Sequence, residues 1–93
     1  MYLLEGTRIV ASQQQVSCDL DGEAAILNLK NGVYYGLDPV GARVWNLLQQ
    51  PRTVAELRDI LAAEYDADGA RLESDIRDLL SRLAENELVE ISA

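Results

Sequence analysis

Residues 23–38, EAAILNLKNGVYYGLD, constrain this chain more than any other stretch. Two β-prone runs flank Lys30-Asn31-Gly32, and a glycine able to turn left-handed between such runs signals a hairpin. Two registers compete. A two-residue Asn-Gly loop pairs Leu29 with Tyr34 and Asn28 with Tyr35, which mixes polar and apolar residues on both faces. A three-residue loop with Gly32 left-handed pairs Leu29 with Val33, Leu27 with Tyr35 and Ala25 with Leu37. One face is then wholly apolar, so this is the expected register. Its other face carries Ile26, Asn28, Tyr34 and Gly36.

Helices follow. Asp38-Pro39 opens the first, with Asp38 as cap and Pro39 already set for the first turn. Gly41, Val44, Trp45 and Leu48 fall on one stripe, and the helix stops before Pro51. Thr53-Val54-Ala55-Glu56 is a capping box for a second helix, whose apolar positions are Val54, Leu57, Ile60, Leu61 and Tyr65. After a loop at residues 66–69, a third helix places Leu72, Ile76, Leu79, Leu80 and Leu83 at helical spacing. Asn86 is expected to end it in the left-handed conformation. Residues 88–91 read as an extended tail that packs back on the core. Upstream of the hairpin, residues 8–14 form a weak polar strand, with Ile9 and Ala11 alternating against Val10 and Ser12, and Asp21-Gly22 is a turn. The order is three strands, then three helices. With a tight connection between the first two helices, this resembles a helix-turn-helix core preceded by a sheet.

Composition excludes much chemistry. The 93 residues suit one domain, spanning 1–93, with a modest core. Histidine is absent, which removes the commonest general base, the commonest metal ligand and any Ser-His or Cys-His pair. The lone cysteine, Cys18, has no neighbour with which to bind metal and reads as a partly buried thiol in a reducing cytoplasm. The six glycines are scattered, so no phosphate loop forms. Glu73, Asp75 and Asp78 read as a solvated helix face and not as a catalytic carboxylate pair. No enzyme activity, cofactor, membrane span or secretory signal is expected. The net charge is −8, and residues 53–93 carry four arginines, no lysine and eleven acidic residues, or −7 of it. Such a chain repels nucleic acid and suits a basic partner.

A peptide has two places to go. Residues 33–37, VYYGL, carry neither charge nor proline, the usual protections of a sheet edge. If this strand is an edge, it is a template for an incoming strand. The inward side chains of Val33, Tyr35 and Leu37 are explained by core packing alone. Tyr34, pointing the other way, is not, and Gly36 marks either a close approach by another backbone or a bend. The broad apolar stripe of the third helix is either all core or lines a groove with its edge.

The run from Leu27 to Ile91 resembles the PqqD-like peptide-recognition domains, called RiPP recognition elements, and among them the stand-alone B1 proteins of lasso-peptide biosynthesis. The resemblance lies in an aliphatic strand and a turn, then an aromatic strand ending in leucine. Asp38-Pro39, Gly41-Ala42, Val44-Trp45 and Leu47-Leu48 follow. Thr53-Val54-Ala55-Glu56-Leu57, Asp75-Ile76, Leu79-Leu80, Leu83 and Leu88-Val89 complete it. It implies an α+β, winged helix-turn-helix-like fold, with a three-stranded antiparallel sheet followed by three helices. It also implies non-catalytic binding of the leader of a ribosomally made precursor peptide, as an added strand on Val33, Tyr34, Tyr35, Gly36 and Leu37. The opposing wall is drawn from Leu72, Asp75, Ile76, Leu79, Arg82 and Leu83. The implied partners are that leader, a leader peptidase and an ATP-dependent cyclase, with this chain acting in trans. Two alternatives remain. One is a winged-helix DNA-binding regulator, disfavoured because the second and third helices are each net negative. The other is a PqqD-type chaperone for a radical enzyme, which the pattern does not separate from the first reading.

Overall fold

The computed structural model describes residues 6–66 and 68–92. The elements are β1 (Arg8–Ala11), β2 (Gln15–Leu20), β3 (Glu23–Asn28), β4 (Tyr34–Leu37), α1 (Pro39–Leu47), β5 (Arg52–Thr53), α2 (Val54–Glu64), α3 (Gly69–Glu85) and β6 (Val89–Ser92). One antiparallel sheet has the order β2-β3-β4 and a second the order β5-β1-β6.

The expected three-stranded antiparallel sheet and three helices are therefore present, but the outer strand differs from the one expected. Residues 8–11 pair with β5 and β6 instead of with the hairpin. The hairpin's partner is β2, joined to β3 by a two-residue Asp21-Gly22 turn with both residues at positive φ. The tail, expected to pack back on the core, is β6, laid along β1. Ile9 is fully buried, and Ala11 N–H donates to Leu48 O (2.7 Å), so β1 ties this small sheet to the end of α1.

The hairpin register is shifted by one residue from the expected one. Leu27 pairs with Tyr34, Ile26 with Tyr35, Ala25 with Gly36 and Ala24 with Leu37. The loop holds four residues, 29–32, with Gly32 at φ +72°. Asn28 explains the shift. It sits on the inward face at 1% exposure beside Ile26 and Ala24. Its Nδ2 donates to Asn86 O (2.8 Å) and its Oδ1 accepts from Lys30 N (2.8 Å). A polar side chain satisfied in this way occupies a core position at little cost. Tyr34 and Gly36 still face outward and Tyr35 and Leu37 inward, as expected, because the one-residue error falls on β3.

The helices follow their caps. Asp38 Oδ1 accepts from Gly41 N (2.8 Å) and Pro39 occupies the first turn. Thr53 and Glu56 form the reciprocal capping box, and the backbone N–H of Thr53 holds the Glu56 carboxyl below its ordinary pKa. The stripe of α3 (Leu72, Ile76, Leu79, Leu80, Leu83) is buried. Its end corrects one expectation. Asn86 is not left-handed (φ −97°), and the chain turns at Glu87 (φ 57°). Asn86 Nδ2 is engaged by Arg82 O (2.8 Å), which holds Asn86 near helical geometry.

Candidate functional site

Among the described residues β4 pairs only with β3, so its other side is a free edge. The direction of its backbone groups follows from the ladder. Asn28 N–H donates to Val33 O (3.0 Å), which makes Asn28–Val33 a hydrogen-bonded pair. Such pairs recur every second residue in an antiparallel ladder. Tyr35 and Leu37 therefore spend their N–H and C=O groups on β3, while Tyr34 and Gly36 present theirs outward. Val33 lies just before the strand, and its N–H is taken by Asn31 Oδ1 (2.9 Å). The usable edge is thus Tyr34–Leu37, with Tyr34 and Gly36 as its hydrogen-bonding residues.

Beside the edge lies a cleft of about 590 Å³. The end of β4, the start of α1 and one face of α3 form its walls. Of the candidate residues, the structure brings together Gly36, Leu37, Leu72, Asp75, Ile76, Leu79 and Arg82 on this cleft. Tyr34, exposed, and half-buried Tyr35 lie further along the strand, and Leu83 is in the core away from the cleft lining. Asp38, Val40, Gly41, Val44 and Asp78 line it as well and were not among the candidates. Gly41 is the one with a legible signal. A Cβ there would lie 3.2 Å from Asp38 Oδ1 and 3.3 Å from Leu37 Cβ, so the missing side chain lets the strand end and the helix start approach closely.

A strand added to this edge would run about 4.8 Å from β4. Residues of such a strand opposite Tyr34 and Gly36 would exchange backbone hydrogen bonds with them and point to the outer face. Those on the Leu37 side would point toward the cleft lined by Leu72, Ile76, Leu79, Val44 and half-exposed Val40.

Of the solvated face expected of Glu73, Asp75 and Asp78, only Glu73 departs. Glu73 is tied into α2, accepting from Arg58 Nη1 (2.7 Å) and Arg77 Nε (3.2 Å). The hydrogen bond from Arg58, then that from Arg77, holds its carboxyl below the ordinary range. Asp75 and Asp78 are exposed and line the cleft. Arg43 is held by Glu64 (2.6 Å). Cys18 is exposed on the outer face of β2, not partly buried. The described residues include no group of three or more potential metal ligands and no helix long and apolar enough to cross a membrane.

Fold and cleft together define a class: small α+β domains that offer a bare sheet edge beside a helix-lined groove. The chain belongs to the PqqD family, since the family model "Coenzyme PQQ synthesis protein D (PqqD)" matches residues 23–89. Similar solved structures include TbiB1 in complex with the TbiA(beta) leader peptide, 42% identical with a TM-score of 0.82, covering 87% of this chain and 94% of that one. A lasso peptide synthetase B1 complexed with the leader peptide is 22% identical, with a TM-score of 0.78 over 88% and 96%. The PqqD truncation of Methylobacterium extorquens PqqCD, a RiPP recognition element, is 23% identical, with a TM-score of 0.79 over 96% and 95%. Among curated proteins none matches the sequence significantly.

Proposed function

We propose that this chain binds the leader segment of a ribosomally made precursor peptide and, without catalysis of its own, presents it to a leader peptidase and an ATP-dependent cyclase of a lasso-peptide pathway. The leader adds as an antiparallel strand to Tyr34–Leu37, with alternate side chains in the cleft against α3. One observation carries the reading: an edge with neither charge nor proline, whose two outward residues have free backbone groups, lies directly beside a cleft with an apolar floor of Leu72, Ile76 and Leu79. Similarity to TbiB1, at 42% identity against 23% for the PqqD truncation, favours the B1-type role over the radical-enzyme chaperone. The absence of histidine supports a binding role. Nucleic acid is a poor partner because Arg43, Arg58 and Arg77 are already engaged by carboxylates.

Fluorescence anisotropy with labelled TbiA(beta) leader peptide tests this. Saturable binding is expected. It should weaken about fivefold to tenfold in Val40→Ser, which removes an exposed apolar wall of the cleft without touching the core. No saturable binding, or equal binding by wild type and Val40→Ser, would overturn the reading.

A further inference from the structure

We infer that the cleft reads the charge and direction of its ligand: the bound segment is basic on its N-terminal side and acidic on its C-terminal side, and runs parallel to α3. The inference rests on the strand-addition reading above and assigns specificity to Asp75, Asp78 and Arg82.

Direction comes first. A strand added antiparallel to β4 begins beside Leu37 and ends beside Tyr34. The helix has a fixed sense relative to that strand. Asn86, just past the end of α3, accepts from Asn28 Nδ2 (2.8 Å), and Asn28 is the cross-strand partner of Val33. The C-terminal end of α3 therefore lies at the Val33 end of β4, and its first turns lie at the Leu37–Asp38 end. The segment's N-terminus faces the start of the helix. Asp75 and Arg82 are seven positions apart, about 10 Å along the axis, or roughly three residues of extended peptide.

The cleft's charges are ordered along that axis. Asp38 and Asp75 stand at the end where the segment enters, Asp78 follows, and Arg82 stands at the far end. Asp75, Asp78 and Arg82 are exposed. None of them takes part in the ion pairs found among the described residues, whereas Glu73 and Arg77 on the same helix are coupled to each other and Glu73 to Arg58. The floor between these charges is apolar (Leu72, Ile76, Leu79). Backbone pairing on an edge is tolerant of sequence, and β-strands can be added in either sense. The ordered charges break that degeneracy: reversing such a segment sets its basic end against Arg82 and its acidic end against Asp38 and Asp75.

A selection from a random-peptide display library on the immobilised protein tests the inference. Enriched peptides should carry Lys or Arg before an apolar pair spaced two residues apart, and Asp or Glu after it. On Asp75→Lys/Asp78→Lys the basic preference should disappear, and on Arg82→Glu the acidic one. For one enriched peptide, replacing its basic residues by Gln should weaken binding to wild type about fivefold at low salt. The same replacement should change binding to Asp75→Asn/Asp78→Asn by much less. Enrichment that depends on Val40 but shows no charge order, or the reverse order, overturns this inference and leaves the proposed function standing. Failure of any peptide to enrich overturns both.

Discussion

Replacing Gly36 by proline separates the sheet edge from the fold. Gly36 does not need a left-handed backbone, and a Cβ added there meets nothing within 4 Å. Its N–H points away from β3, so proline removes no hydrogen bond of the ladder, the setting in which edge proline is tolerated. The preceding residue, Tyr35, is already extended, as a residue before proline must be. The cost to folding is therefore small, on the order of 1 kcal/mol, partly offset by lost freedom in the unfolded chain. The complex suffers more. The incoming strand's carbonyl loses its N–H donor and is left unsatisfied, at about 1–3 kcal/mol. That corresponds to about fivefold to 150-fold in Kd. Gly36→Ala is the control, because it keeps the N–H and should bind within about threefold of wild type. Leader anisotropy gives the affinities, and melting by circular dichroism should stay within about 5–8 °C of wild type. A folded Gly36→Pro protein with wild-type affinity would refute the reasoning.

Further outcomes are expected from other parts of the molecule. Asn28→Ala removes the bonds to Asn86 and Lys30 from a buried site and should lower stability in urea by about 2–4 kcal/mol. The Glu73 carboxyl is depressed in the folded state, so its contribution is complete above the ordinary carboxylate range and is lost as pH falls through the depressed value. Glu73→Gln should then be less stable than wild type near about pH 7, with the gap closing near about pH 3, as urea midpoints will show. With a net charge of −8, the on-rate for a basic leader should fall as salt rises from low to physiological levels in stopped-flow mixing, and an unchanged on-rate would confine the charge to solubility.

The helices were legible because their signals are local: Asp38-Pro39, the Thr53–Glu56 box and the α3 stripe each lie within a few residues of what they control. The sheet was less so. In β2 the apolar side chains of Val16 and Leu20 face outward at 58% and 57% exposure, while polar and exposed Ser17 and Asp19 take the side of Ile26 and Ala24, so its pattern does not read as a half-buried strand. The register is not legible locally because Asn28 finds its partner 58 positions away, in Asn86. Glu73 looked solvated because Arg58 reaches it from another helix. At the site, the edge residues and the α3 wall were visible as pattern, whereas Val40 and Asp78 join the cleft only through the way α1 and α3 flank the end of β4. Burial also changes which variants are informative. Ile76, an apparent anchor, is 2% exposed, so truncating it would cost about 2–4 kcal/mol of fold stability and blur any loss of binding.

Amide hydrogen exchange along β4, with and without saturating leader, tests strand addition most directly. In the free protein Tyr35 and Leu37, bonded to β3, should exchange slowly, and Tyr34 and Gly36, with N–H groups on the open side, quickly. Adding leader should slow Tyr34 and Gly36 and leave the alternation on β3 unchanged. If Tyr34 and Gly36 exchange as fast in the saturated complex as in the free protein, the peptide does not pair with this edge, however tightly it binds.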